Sequence, residues 1–141
     1  MILITILVFA FILGLLIFVH EFGHFVAAKR ASMAVQEFGF GFPPRIFGIK
    51  RGETMYSVNW IPLGGFVKIL GEDGGTDEPG SFASGTFWRR LSVLLAGVLM
   101  NFILGWFLLL LAFWVIGAPT EIDENFDFGR ARVADPQLAI V

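Results

Sequence analysis

The stretch ILITILVFAFILGLLIFVHEFGH, residues 2–24, joins a long apolar run to a polar pentapeptide. The run Ile2–Val19 carries no charge, and as a helix it would be about 27 Å long, close to the roughly 30 Å hydrocarbon core of a bilayer. No proline interrupts residues 1–30, so the helix can continue through the pentapeptide. The sequence therefore predicts a first transmembrane helix over residues 1–30, with a polar turn near its end.

The polar pentapeptide His20-Glu21-Phe22-Gly23-His24 has the form H-E-x-x-H. Residues four apart lie on one face of a helix, so His20 and His24 can bind one metal ion. This spacing is typical of two zinc ligands, with Glu21 as the general base of a metalloprotease. Polar groups at bilayer depth are costly unless they are paired or face a wet cavity, which favours a functional site over a chance match. The combination predicts proteolysis inside a membrane.

A second apolar block gives the chain its other predicted span. Of the 141 residues, 56% are hydrophobic, and they are concentrated in Ile2–Val19 and in Leu91–Gly117. The second block follows Phe87-Trp88-Arg89-Arg90, an aromatic and basic combination that is typical of a membrane interface. We therefore predict an α-helical integral membrane protein, with a second transmembrane helix over residues 89–118.

The region between the helices, residues 31–88, contains two runs with strand-like composition. Arg45–Lys50 and Met55–Ile61 are separated by a turn signal at Gly52, and the apolar segment Pro62–Leu70 with its paired glycines follows. Non-helical backbone at membrane depth must be buried in protein or line a wet cavity. We predict a β-hairpin region that dips toward the membrane beside the metal site. A small surface hairpin packed on the helix ends is the alternative.

Charge distribution predicts the orientation. The loop of residues 29–90 contains 8 of the chain's 10 Lys and Arg residues, which predicts a cytoplasmic loop and places both ends of the chain outside. The net charge of −2 and the lack of a basic face give no reason to expect a nucleic-acid partner.

The ligand set for zinc is incomplete in this sequence. Catalytic zinc usually has three protein ligands and one water, but the chain has only 2 His and no Cys. A third ligand must therefore be a carboxylate. Candidates within the chain lie in a glycine-rich loop and not on a helix that could pack rigidly against the first one: Glu72, Asp73, Asp77 and Glu78.

Taken together, these motifs resemble the N-terminal part of a bacterial site-2 protease, one of the zinc intramembrane metalloproteases that include the regulator of sigma-E protease. The resemblance extends over essentially the whole chain. It rests on an ordered set of motifs: Val19–Phe25, Gly39-Phe40-Gly41-Phe42, Asn59–Lys68, Ala96-Gly97 and Asn101-Phe102. Val98 stands where the family commonly has a proline.

The resemblance implies zinc as cofactor, Glu21 as the catalytic residue and both histidines as ligands. It also implies a membrane-reentrant β region that holds an unwound substrate helix by strand addition. The substrate-binding residues it implies are Gly39, Gly41, Gly64, Gly65 and Asn101, the last at a position proposed to bind substrate or the oxyanion. Expected partners are the lipid bilayer and single-span substrate helices, such as anti-sigma factors or signal-peptide remnants, in the bacterial cytoplasmic membrane.

Two features of the family are missing from this chain. The family's third ligand is an Asp in a Leu-Asp-Gly motif on a later helix, and no such motif occurs here. PDZ-like domains usually follow the second span, and residues 119–141 resemble only the start of one. We therefore expect an N-terminal fragment that is inactive alone. The alternatives are a membrane metal or proton carrier and a catalytically dead adaptor.

Overall fold

A computed structural model of the protein describes residues 1–74 and 76–117. In chain order its elements are α1 (Ile2–Arg30), β1 (Val35–Arg51), β2 (Thr54–Ile69) and α2 (Phe87–Ile116). The predicted sequence of helix, hairpin and helix is confirmed. The predicted start of a PDZ-like domain at residues 119–141 lies outside the described residues.

Both helices are long and apolar enough to cross a membrane, judged by length and composition. α1 ends with Lys29 and Arg30 in its last turn, where their positive charges interact favourably with the negative end of the helix dipole. α2 begins at Phe87, so the aromatic and basic residues expected to precede the second span form its first turn. Most apolar side chains in the N-terminal half of α1 are exposed, as a lipid-facing surface would require.

The two strands pair antiparallel across a tight turn at Gly52, whose φ of 59° suits glycine. The predicted hairpin is confirmed by pairs that run from Arg51 with Thr54 to Arg45 with Asn59. Both strands are longer than the sequence indicated. β1 already begins at Val35, and β2 continues to Ile69 through most of the apolar segment Pro62–Leu70 that we assigned to the β-hairpin region.

Both strands bend, and the bends create further pairings. Val35–Phe40 pairs antiparallel with Gly65–Ile69 on one side, while the residues from 37 to 40 pair with Met55–Val58 on the other. Register shifts mark the bend near Gly41, whose φ is 80°. The Asn59 side chain donates a hydrogen bond of 3.0 Å to the Gly41 carbonyl oxygen. Among the described residues, Gly65–Ile69 has a strand partner on one side only.

Aromatic side chains attach the sheet to α1. Phe18 and Phe25, seven residues apart on one helix face, both contact Phe38, with ring centroids 5.9 and 5.2 Å apart. Phe25 also lies 5.9 Å from Tyr56. A small buried core continues this packing toward the end of α1: Ala28, Ala31, Met33, Val35, Ile69 and Val93. The packing holds the sheet beside the H-E-x-x-H turn.

Backbone hydrogen bonds connect the loop between β2 and α2 to the ends of the strands. The Ala34 amide donates to the Gly80 carbonyl at 2.8 Å, and the Phe82 amide donates to the Leu70 carbonyl at 2.7 Å. Ser81, between them, is buried. These bonds bring the end of the loop, and with it the start of α2, to the end of the sheet.

Candidate metal centre

The two helices touch at backbone distance beside the H-E-x-x-H turn. A Cβ added at Gly23 would lie 2.7 Å from Met100 Cγ and would also overlap the Ala96 carbonyl oxygen. Only glycine therefore allows this approach, and the contact places the turn of α1 against the first half of α2. All of these residues belong to one compact unit, Met1–Phe107.

His24 is oriented by the backbone of α2. Its Nδ1 lies 2.7 Å from the Val93 carbonyl oxygen, which can only accept a hydrogen bond. Nδ1 therefore carries a proton, and in the neutral imidazole Nε2 is left with a free lone pair. A metal-binding histidine is commonly held in this way, because the outer hydrogen bond fixes both the tautomer and the ring orientation.

Both histidines turn the same ring nitrogen toward Gly97. A Cβ built on Gly97 would lie 2.6 Å from His20 Nε2 and closer still to His24 Nε2. The two ring centroids are 4.8 Å apart. Residue 97 therefore has no room for a side chain, because both Nε2 atoms lie close to its backbone. Two imidazole nitrogens that lie beside the same residue fit a zinc ion, for which imidazole is a preferred ligand.

Asn101 lies on the other side of the His20 ring. Its Nδ2 is 3.4 Å from His20 Nδ1, at the long end of hydrogen-bond distances. Its Oδ1 is buried and has no hydrogen-bond partner among the residues that the structure describes. The structure thus places Asn101 against a metal-ligand candidate, whereas the resemblance implied a role in binding substrate or the oxyanion.

Glu21 lies on the same helical turn and borders a pocket of about 300 Å³. A Cβ added at Gly65 would lie 3.0 Å from Glu21 Cγ and 3.2 Å from the Gly39 carbonyl oxygen, so β2 passes directly over the Glu21 side chain. The remaining lining comes from His24, the end of β2, the following loop and α2: Phe66, Val67, Ile69, Glu72, Phe82, Val93 and Leu94.

The other glycines singled out in the sequence occupy different places. Gly39 lies on the neighbouring strand segment, and its carbonyl oxygen is close to Gly65. Gly64 faces the ring of Phe42. Gly41 makes the bend of β1. Of these four glycines, only Gly65 lines the pocket. A role in substrate binding stays a prediction for each of them.

A third metal ligand is not found among the described residues. Within residues 1–74 and 76–117, no group of three or more His, Cys, Asp or Glu side chains could hold a metal ion. Glu72 is the one loop candidate that lines the pocket with Glu21 and His24, but it does not complete such a group. The two histidines therefore stand as an incomplete ligand set.

The sequence indicated the ligand candidates but not the groups that contact their ring nitrogens. The Val93 carbonyl is a backbone group that no residue type signals, and its distance from His24 along the chain is 69 residues. Asn101 did carry a signal, because it is the strongly polar residue of an apolar span. Gly97 belonged to a quoted motif, but nothing in the sequence indicated which side chains it faces.

Comparison with known proteins identifies the family. The family model of peptidase family M50 matches residues 8–141. The chain belongs to this family. The match confirms the resemblance to site-2 proteases that the sequence motifs indicated.

Relatives of known name support the same conclusion. A Fusobacterium nucleatum protein named as a candidate zinc metalloprotease is 42% identical over 125 residues, which are 89% of this chain and 37% of that protein. A Clostridium acetobutylicum protein with the same type of name is 47% identical over 91 residues, 64% of this chain and 27% of the relative. The regulator of sigma-W protease RasP of Bacillus subtilis is 46% identical over 69 residues, 49% of this chain and 16% of that protein.

The matched part of the chain covers 27% and 37% of the lengths of the first two of these relatives. Names within the family indicate peptidase activity and zinc, and the two apolar helices together with the family indicate membrane association. The described part of this chain brings two imidazoles, one carboxylate and a strand segment close together.

Proposed function

We propose that this chain is the N-terminal part of a zinc-dependent intramembrane endopeptidase that cleaves single-span membrane proteins. One observation carries the proposal. The Nε2 atoms of His20 and His24 both lie close to Gly97, while Glu21 on the same turn faces a pocket bordered by β2. An ion held at the histidines would be next to the carboxylate that the chemistry needs.

His20 and His24 would hold zinc through their Nε2 atoms. Bound zinc supplies Lewis acidity, which activates water and polarises a peptide carbonyl. Catalytic zinc sites usually use three protein ligands, so the proposal requires a third. We place it in an Asp of a Leu-Asp-Gly motif on a later helix of a longer protein, outside this chain. The shares of 27% and 37% by which the chain covers its relatives support this placement.

Glu21 acts as the general base in this proposal. Its carboxylate takes a proton from the attacking water and then delivers that proton to the amine that leaves the cleaved peptide bond. The position of Glu21 under Gly65 supports this role, because a peptide lying along this part of β2 would bring its backbone to the carboxylate.

Substrate would bind as an added strand along Gly65–Ile69. This segment has a strand partner on one side only among the described residues, and it lines the pocket with Glu21. A transmembrane helix hides its peptide bonds in internal hydrogen bonds, so it must unwind before it can be cleaved. Strand addition would replace the lost hydrogen bonds with backbone bonds to β2.

The proposal includes a location in the bacterial cytoplasmic membrane as a multi-pass protein. α1 and α2 would cross the bilayer, the loop of residues 29–90 would face the cytoplasm, and both ends of the chain would face outward. The basic residues of that loop support this orientation. Candidate substrates are anti-sigma factors and signal-peptide remnants. The name of the B. subtilis relative, a regulator of sigma-W protease, supports the first class.

The proposal is tested by changing the base alone in the complete natural protein. We expect Glu21→Gln to retain bound zinc and to lower cleavage of a single-span substrate in proteoliposomes by about 10²- to 10⁴-fold, the usual contribution of general acid–base catalysis. Glu53→Gln, at the exposed hairpin turn, is the matched control and should cleave at the wild-type rate.

Three outcomes would contradict the proposal. Cleavage by Glu21→Gln at the wild-type rate would remove Glu21 as the base. Zinc transport into the vesicles without peptide cleavage by the wild-type protein would favour a carrier. Absence of zinc from the wild-type protein, with no effect of replacing both histidines, would favour an inactive adaptor.

A further inference from the structure

The geometry of α2 places two of its residues on opposite sides of the His20 ring. Gly97 and Asn101 are four residues apart and so lie on one face of the helix. Gly97 borders Nε2 of His20, and Asn101 lies beside Nδ1 of the same ring. Each ring nitrogen of His20 therefore has a different neighbour on α2.

The orientation of the Asn101 amide decides whether it donates a hydrogen bond to His20 Nδ1 or accepts one from it. A half-turn of a side-chain amide lets it present either an oxygen that accepts or an NH2 group that donates to the same neighbour. As placed, Nδ2 faces His20 Nδ1 at 3.4 Å, while the buried Oδ1 has no partner among the described residues. A half-turn of the amide exchanges the two atoms, so that Oδ1 faces His20 Nδ1 and Nδ2 takes the other position. His20 can bind a metal ion through Nε2 only with its proton on Nδ1, and that N–H needs an acceptor, which the turned amide supplies.

We infer that Asn101 positions His20 for metal binding by accepting a hydrogen bond from its Nδ1–H. With the proton held on Nδ1, the lone pair of Nε2 is free to bind a metal ion. The Val93 carbonyl does the same for His24, so α2 would orient both ligands from one helix face. The inference rests on the proposed function, since it assigns Asn101 a role toward the proposed zinc and not toward the substrate.

The test compares variants of residue 101 in the complete natural protein, purified in lipid nanodiscs. Asn101→Leu keeps the volume but removes the acceptor, and we expect zinc affinity to fall by about 10- to 100-fold, the usual effect of losing an outer hydrogen-bond partner. Asn101→Asp keeps an acceptor oxygen and should bind zinc within about threefold of wild type. Leu104→Ala, one turn further along α2 and also half-buried, is the packing control and should leave zinc affinity unchanged.

Zinc affinity is measured by competition with a chelator, and the proton is followed by ¹⁵N NMR of histidine-labelled protein loaded with zinc. We expect a protonated Nδ1 on His20 in the wild type and in Asn101→Asp, and loss of its slowly exchanging proton signal in Asn101→Leu. A purely structural role would instead lower zinc affinity equally in the Leu and Asp variants.

Three results would overturn the inference, and they separate it from the proposed function. Wild-type zinc affinity in Asn101→Leu, or an equal loss in both variants, would refute the role of Asn101 while leaving the zinc site intact. A metal-loaded His20 protonated on Nε2 would refute the assigned tautomer. A wild-type protein that binds no zinc would refute the proposed function and this inference together.

Discussion

Replacing Gly97 by alanine tests the metal centre most directly, because the added methyl group would clash with Nε2 of both histidines. The new Cβ would lie 2.6 Å from His20 Nε2, whereas ordinary contacts begin at 3.4 Å. The ring must therefore retreat by at least 0.8 Å, the difference between these distances. His24 Nε2 lies closer still and must move further.

The size of this movement sets the expected loss of zinc. Metal–ligand distances in proteins hold within about 0.2 Å, so a displacement of 0.8 Å is about four times the tolerated range. Removing an outer partner of a ligand costs 10- to 100-fold in metal affinity, and displacing two ligands should cost more. We expect Gly97→Ala to weaken zinc binding by more than about 100-fold, or about 2.7 kcal/mol.

The assay is chelator competition on the purified complete protein, with thermal unfolding recorded in parallel. Gly105→Ala is the matched control, because it makes the same substitution in the same helix at a position with nothing within 4 Å of the new Cβ. The control should bind zinc within about twofold of wild type. A folded Gly97→Ala protein that binds zinc as tightly as the control would refute the assignment of the two Nε2 atoms beside Gly97 as zinc ligands.

The remaining predictions concern the two other close approaches of backbone to the site. Gly23→Ala should lower the free energy of unfolding by about 1–3 kcal/mol, because its Cβ meets the backbone of Ala96 and the helices must separate. Thermal unfolding measures this change. A loss no larger than that of Gly14→Ala, whose Cβ has its nearest contact at 3.9 Å, would contradict the prediction. Gly65→Ala should reduce cleavage of a single-span substrate by about tenfold or more with zinc content unchanged, because its Cβ presses on Glu21 and displaces the base or the strand. Wild-type cleavage by that variant would show that the strand does not position the base.

Local features of this protein could be predicted from the sequence because they depend on neighbours along the chain. Ile2–Arg30 is helical, as its uninterrupted apolar run indicated, and the turn at Gly52 joins paired strands as expected. The spacing of His20 and His24 places both rings on one helix face wherever the helix lies. These predictions required only helix geometry, turn chemistry and hydrophobicity.

The pairing of Val35–Phe40 with Gly65–Ile69 was not predicted, because it joins segments about 30 residues apart in sequence through bends in both strands. Each of these segments contains a glycine, Gly39 or Gly65, which disfavours a strand on its own, yet both segments are extended and packed on α1. A third zinc ligand was likewise not identified, since none of the described residues completes a metal-binding group with His20 and His24.

The sequence by itself determined that two imidazoles and a carboxylate share one turn of an apolar helix. Tertiary packing alone brings Gly97 against both imidazoles, the Val93 carbonyl to His24, Asn101 to His20 and Gly65 over Glu21. The physical reason is that residue type and spacing act within a few residues of the chain, whereas each of these contacts joins elements at least 40 residues apart. Such contacts form only where the packing of α1 with β2 and α2 brings those elements together.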